Sequence, residues 1–203
     1  DLKLPPLKRG GHRSPEQGVC AMEMVAFLER LPHSDTPECT PLWLSYFVQS
    51  INDGMTDRNR LLPLLPRLSG HEHSEERKEY VLVQLCRRII APRYEEIGLQ
   101  KHAEAIRAIS GLGETARKVL RAAARDADAA RAANAAYAAN AANAAYAAAY
   151  ADVARAAYVA SAYVDAAVWD ECFLILKEAL EIGTPKQFDR ERVLELETIN
   201  ENV

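Results

Sequence analysis

The sequence contains neither glycine nor proline between Glu114 and Ile182. These are the residues that most often end or kink a helix, so their absence favours helix throughout the segment. One straight helix over this span would be roughly 100 Å long at about 1.5 Å per residue. A compact domain of this chain length is only about 40–45 Å across. The segment must therefore break, project from the molecule or pair with another helix.

The sequence also lacks a run of alternating apolar and polar residues long enough to predict a β-strand. It has no stretch of 18 or more strongly apolar residues of the kind that spans a membrane, and its first residues contain no apolar signal core. The predicted fold class is therefore all-α, with a helical globular domain followed by a long alanine-rich helix or helical hairpin. We expect a cytoplasmic protein that makes no membrane contact.

A basic excess is absent as well. The 203 residues include 25 Lys and Arg against 29 Asp and Glu, which gives a net charge of −4. This balance argues against a dedicated nucleic-acid-binding protein. The four cysteines are widely separated and predict reduced thiols rather than a disulfide framework. They are Cys20, Cys39, Cys86 and Cys172.

Helix-start signals and breaks in the pattern predict four segments. Residues 1–13 form a basic, flexible arm, and residues 14–112 form a helical domain. Residues 113–183 form the alanine-rich helical segment, and residues 184–203 form a short acidic C-terminal helix. Within the domain, Ser14 is the predicted cap of the first helix, with Pro15 at the first helical position. That start places Cys20 more than one turn inside the helix.

The alanine-rich segment repeats two alanines followed by Asn or Tyr. Three residues advance a helix by about 300°, so each third residue lies about 60° behind the previous one. The Asn and Tyr residues therefore wind around the helix and cannot form the seam of a heptad coiled coil. We expect neighbours on several sides and a homo-oligomer assembled through this segment. The candidate self-association residues are Tyr137, Tyr146, Tyr150 and Tyr158.

One stretch near the N-terminus concentrates residues that carry chemistry: HRSPEQGVCAMEMVAFLERLPHSDTPEC. Its His12, Cys20, His33 and Cys39 are ligand types for zinc, but none of them has the short spacing that puts two ligands on one turn. Cys20, Glu23 and His33 are candidate groups of a metal- or cysteine-dependent hydrolase. Such cysteine hydrolases usually carry the histidine on a sheet, and no sheet is predicted. We expect no cofactor and regard an enzyme as the less favoured class.

Another hypothesis is that a cluster of arginines binds a small anionic ligand, such as a nucleotide. Arg87, Arg88 and Arg93 are the candidate ligand-binding residues. Glutamates at positions 75, 76, 79, 95 and 96 lie near them in sequence. Ion pairing with these carboxylates is the alternative role of the arginines.

The stretch quoted above, the segment LLPLLPRLSG and the alanine-rich tail resemble a group of phage and actinobacterial proteins that has no assigned activity. The firmest similarity covers residues 12–39 and 61–70. The resemblance implies only a bacterial or phage cytoplasmic setting. In such a setting, host interaction or interference with a defence system is a reasonable hypothesis for the role. The resemblance assigns no functional residue. The leading hypothesis is a non-enzymatic helical protein that acts by protein binding and self-association.

Overall fold

The computed structural model describes residues 5–130, 141–145, 147–148, 152–153 and 166–183. Within these ranges the chain forms helices and turns and contains no strand, which confirms the all-α prediction. The chain divides into two compact units. The first comprises Asp1–Ser74 with Leu180–Val203, and the second comprises Glu75–Ala179. The predicted boundary at residue 112 lies within the second unit.

The first unit is built around two α-helices and a long 3₁₀ helix. Helix α1 packs against both of the others, and its side chains supply much of the buried core. The 3₁₀ helix contains Pro63 and Pro66, which lack the N–H that a regular helix interior requires. The elements are α1 (Ala21–Leu28), α2 (Leu42–Gly54) and the 3₁₀ helix Arg58–Arg67. Fully buried side chains include Met22, Met24, Phe47, Ile51, Leu61 and Leu65.

The first α-helix begins later than the sequence indicates. Pro15–Gln17 forms only a single 3₁₀ turn, and the Ser14 side chain makes no capping hydrogen bond. Gly18 then adopts φ of 129°, a conformation that side chains rarely tolerate. Helix α1 starts after it, with Cys20 as the N-cap. The predicted start at Ser14 is therefore wrong, and Cys20 lies at a helix terminus rather than inside the helix.

In the second unit, a helix continues through a proline. Helix α3 is followed without interruption by one π-helical turn and by α4, which has Pro92 in its first turn. A π turn occurs where the regular hydrogen-bond ladder is interrupted, and proline removes one donor from that ladder. The elements are α3 (Ser74–Leu85), the π turn Cys86–Ile90, α4 (Ala91–Glu96), α5 (Gln100–Arg107), α6 (Glu114–Ala130) and α7 (Ala166–Leu180).

The described part of the alanine repeat is buried. Residues 141–145 and 147–148 are helical, and their alanines are at most 4% exposed. Asn143, at the third position of a triplet, is exposed. The hydroxyl of buried Tyr94 donates a hydrogen bond to the carbonyl oxygen of Ala141 (3.3 Å). Small side chains allow such close approach, so this part of the repeat contributes to packing.

Several predictions fall outside the described residues. They concern the tyrosines proposed for self-association (Tyr137, Tyr146, Tyr150 and Tyr158) and the acidic helix over residues 184–203. Among the helices that the structure describes, none is both long enough and apolar enough to cross a membrane.

Candidate functional site

The side chain of Glu23 lies at the centre of a buried polar cluster. Only 1% of it is exposed. Its Oε1 accepts a hydrogen bond from the backbone N–H of His12 (2.5 Å), and its Oε2 accepts one from the His12 ring Nδ1 (2.8 Å). Oε2 also accepts the backbone N–H of Cys20 (2.7 Å). The carboxylate therefore joins the segment before α1 to the first turn of α1.

Cys20 and Glu23 form a reciprocal cap at the start of α1. The backbone N–H of Glu23 donates to the Cys20 Sγ (3.5 Å), while the Glu23 carboxylate accepts the Cys20 N–H. This is the capping-box arrangement, with a thiol in the place usually taken by a hydroxyl. It satisfies two backbone donors that a buried helix start otherwise leaves unpaired.

His33 completes the cluster from the loop after α1. Its Nε2 lies 2.7 Å from the carbonyl oxygen of His12 and 3.6 Å from the Glu23 Oε1. A carbonyl oxygen accepts but does not donate, so Nε2 of His33 carries the proton. By the same reasoning, Nδ1 of His12 donates to the ionised Glu23. The ring nitrogens that contact the cluster therefore act as hydrogen-bond donors, not as bases.

We call residues 5–13 the N-terminal strap. Backbone N–H groups of the strap donate hydrogen bonds to side chains of the first unit. The N–H groups of Leu7 and Gly10 donate to the side chains of Asn59 (2.9 Å) and Asp53 (2.8 Å). Leu7 is itself buried. These contacts hold residues 5–13 against the rest of the first unit. The same residues belong to the segment that the sequence predicts as a flexible arm.

Asn52 is the strap's most enclosed partner, with a fully buried side chain. Its Nδ2 donates to the Lys8 carbonyl oxygen (2.9 Å), and its Oδ1 accepts the Ala21 N–H (3.3 Å). Sequence reasoning missed this residue and Asp53. The available signal was a polar residue one position after Ile51, at the end of the apolar stripe of α2.

The pKa of Glu23 is lowered from its ordinary value of 4.5. Burial is the largest single influence and raises the pKa, because it penalises the charged form. The hydrogen bonds from the backbone of His12 and Cys20, together with the His12 ring, oppose burial and outweigh it in sum. Glu23 is therefore held as a carboxylate that accepts hydrogen bonds, which is the opposite of a general acid.

Burial raises the pKa of the Cys20 thiol to about 12. A helix N-terminus normally favours a thiolate, and the backbone N–H of Glu23 does lower the pKa of Cys20. Burial and the nearby negative charge of Glu23 outweigh that effect. A cysteine nucleophile needs a lowered pKa, so the geometry brings the predicted catalytic residues Cys20, Glu23 and His33 together without activating the thiol.

The predicted metal ligands are not assembled as a set. Cys39 lies elsewhere, with its Sγ 3.7 Å from the Thr40 hydroxyl and its carbonyl oxygen accepting the Gly70 N–H (2.6 Å). Across the part of the chain that the structure describes, no group of three or more His, Cys, Asp or Glu side chains is arranged to hold a metal ion. The metal interpretation of His12, Cys20, His33 and Cys39 therefore finds no support in the geometry.

Two of the three arginines predicted to bind an anion are already neutralised. Arg88 pairs with Glu171 and Glu178 of α7, the latter at 2.5 Å. Arg93 pairs with Glu96 in its own helix (2.8 Å). The Arg87 Nε is buried without a hydrogen-bond partner. Arg88 and Arg93 therefore act as ion-pair partners within the second unit, and binding of an anion by the three arginines stays a prediction.

The protein is therefore all-α, and the polar side chains of this cluster hold the N-terminal strap against α1 and α2. No protein-family model, no curated protein and no solved structure matches this chain.

Proposed function

We propose that this is a non-enzymatic helical protein that acts by binding proteins and by self-association. The observation that carries the proposal is an exposed apolar face on α2. Leu42 is 57% exposed and Tyr46 is 46% exposed, and they lie one turn apart on the same face. The opposite face carries Leu44, Phe47 and Val48, which are buried.

The exposed face of α2 favours a second copy of this chain as its occupant. Asp53, near the end, is the only charged residue of α2. A two-fold interface places the same surface on both sides, so a charge close to the two-fold axis faces and repels its own copy. A neutral face with one aliphatic and one aromatic side chain avoids that repulsion. Tyrosine is also among the residues that contribute most to binding at the centre of interfaces.

The alanine-rich segment contributes to the same proposal as a packing element, in the form of a long helix or a hairpin. Support comes from the buried alanines around Asn143. Because these alanines are already covered, self-association through the segment depends on its tyrosines. The host-interaction role and the cytoplasmic location suggested by the sequence belong to this proposal as well.

Light scattering coupled to size exclusion tests the proposal. We expect more than one copy at high micromolar concentration, and we expect Leu42→Ser with Tyr46→Ser to shift the protein to a monomer. Leu174→Ser is the matched control, since Leu174 is a large exposed side chain (39%) on α7. It should keep the wild-type mass.

The outcomes separate the two possible surfaces. A wild-type protein that is monomeric at that concentration contradicts self-association altogether. If the α2 variant remains an oligomer and Tyr146→Ser with Tyr150→Ser dissociates it, the alanine-rich segment is the interface instead.

A further inference from the structure

Helix α6 carries a positively charged face. Arg117, Lys118, Arg121 and Arg125 fall within an arc of about 100° on a helix that turns about 100° per residue. The acidic positions Glu114 and Asp128 fall within the same arc, so the arc holds four basic positions and two acidic ones. Arg121 pairs with Glu114 at 2.9 Å. The other three are exposed and form no ion pair with any described residue.

Three arginines elsewhere in the second unit are paired instead. Arg88, Arg93 and Arg107 each pair with a glutamate. Acidic residues outnumber basic ones in the whole chain, so carboxylates are not scarce. The opposite face of α6 is buried through Leu120 and several alanines. The basic face is therefore directed away from the core and available to a partner.

A cavity of about 450 Å³ adjoins this face between α3 and α6. Its lining includes the apolar side chains of Leu82 and Leu112, and Arg117 lines its α6 side. The carboxylate of Glu79 accepts the Leu112 N–H (3.0 Å), which holds the loop before α6 against α3. A volume of this size accommodates one or two apolar side chains.

The α3 wall of the same cavity is acidic on balance, with three carboxylates (Glu75, Glu76 and Glu79) and one cation (Lys78). A uniformly negative ligand such as a nucleic acid is attracted by α6 but repelled by this wall. A segment with carboxylates on one flank and neutral or basic side chains on the other matches both walls. The two walls therefore fix the orientation of the occupant as well as its charge.

We propose that this α3–α6 groove binds an amphipathic helical segment of a partner protein. The segment places an apolar side chain over Leu82 and Leu112 and directs carboxylates towards Arg117 and the basic face of α6. Carboxylates four residues apart on a helix are spaced about 6 Å along the axis, which matches the Arg117–Arg121–Arg125 row. The inference rests on the protein-binding part of the proposed function and names the partner's chemistry.

A labelled, alanine-based synthetic helix provides the probe. It carries leucines along its centre, glutamates on one flank and lysines on the other, and a second peptide of equal composition has the flanks mixed. Binding is followed by fluorescence anisotropy at low salt, where exposed ion pairs are least screened. We expect tighter binding of the ordered peptide, with binding weakened as salt is added.

The test variant is Arg117→Gln, Lys118→Gln and Arg125→Gln together. We expect it to weaken peptide binding by about tenfold, because exposed ion pairs each contribute little but three are lost. The matched control replaces Arg9, Arg13 and Arg30, three exposed arginines of the first unit, with glutamine. It should bind the peptide like the wild type, and circular dichroism should show that both variants keep their helices.

Three results overturn the proposal. They are equal binding of the two peptides, unchanged binding by the α6 variant, and tighter binding of a single-stranded oligonucleotide through the same three cations. If the protein is monomeric and binds the ordered peptide, self-association is contradicted and peptide binding by the groove is supported. If the protein is an oligomer and does not bind the peptide, peptide binding by the groove is contradicted and self-association is supported.

Discussion

Glu23 shows how a single buried carboxylate is made tolerable. A buried charge is costly unless it is paired and hydrogen bonded. Here the backbone of His12, the His12 ring and the backbone of Cys20 supply the donors. The same contacts hold the N-terminal strap against α1. Residue types that often serve in catalysis therefore stabilise the fold here.

Replacing Glu23 with Gln should lower the free energy of unfolding by roughly 2 kcal/mol, because charged hydrogen bonds are lost and an amide N–H₂ then faces a donor. Urea unfolding at neutral pH measures this. Glu16→Gln is the control, since Glu16 is an exposed carboxylate of the same segment, and it should change little. Equal stability of Glu23→Gln and the wild type contradicts a supporting role for the carboxylate.

The contribution of Glu23 should depend on pH in one direction. Because its folded-state pKa is lowered, its stabilising effect is complete above the ordinary value of 4.5 and is lost as the pH falls through the folded-state pKa. The stability difference between wild type and Glu23→Gln should therefore shrink below about pH 4.5. A difference that grows on acidification excludes this account.

Thiol reactivity separates a buried cap from a nucleophile. With its pKa raised to about 12 and its side chain buried, Cys20 should react with a thiol reagent only after unfolding. Cys86 and Cys172 are buried with similarly raised pKa values and should behave alike. Half-buried Cys39 should react first, and Cys39→Ser should abolish the early phase. Rapid labelling of Cys20 in the folded protein favours the hydrolase alternative.

At the scale of the element, the start of α1 is decided by competition between two capping signals. Ser14 and Pro15 favour a start near residue 14, whereas Cys20 and Glu23 satisfy each other's backbone donors at residue 20. Gly18 lies between them with φ of 129°. Lys8 of the strap lies beside Gly18, and its N–H donates to the carbonyl oxygen of Val19 (2.9 Å).

Gly18→Ala should destabilise the protein by about 1–3 kcal/mol, the range for a side chain forced into a sparsely populated backbone conformation. An added Cβ also lies 2.3 Å from the Cδ of Lys8. Gly113→Ala is the control, because it has an ordinary φ and nothing within 4 Å of the added atom. It should be neutral or slightly stabilising. Denaturant midpoints of the two variants test this, and equal midpoints exclude a special role for Gly18.

At the scale of the whole molecule, each of the two units has its own buried core. Met24 and Phe47 belong to the first, and Leu85 and Tyr94 belong to the second. The two tryptophans are divided between them, with Trp43 in the first unit and Trp169 in the second. This division provides a natural fluorescence probe for each unit.

Glu23→Gln should lower the thermal midpoint reported by Trp43 more than the one reported by Trp169, because Glu23 belongs to the first unit and local stability follows local contacts. The measurement uses Trp169→Phe and Trp43→Phe backgrounds, so that each protein holds one tryptophan. Equal shifts in both backgrounds show instead that the chain unfolds as one cooperative unit.

Apolar spacing and the lack of strand patterns were enough to predict an all-α protein. The residue types concentrated near the N-terminus indicated that His12, Cys20, Glu23 and His33 are candidates for chemistry. Periodicity reports which face of a helix is buried, so these features follow from local sequence alone. The same local signals gave the wrong start for α1.

The tertiary structure decided what the sequence left open: which residues meet, and with what charge. Asn52 and Asp53 hold the strap from another helix, and no spacing within residues 1–20 reveals them. The Cys20 thiol lies at a helix terminus that favours its anion, yet burial beside Glu23 raises its pKa. Helix and residue type are local properties of the chain, whereas burial and pairing depend on distant segments, so only the folded structure determines whether a cysteine is a nucleophile or a cap.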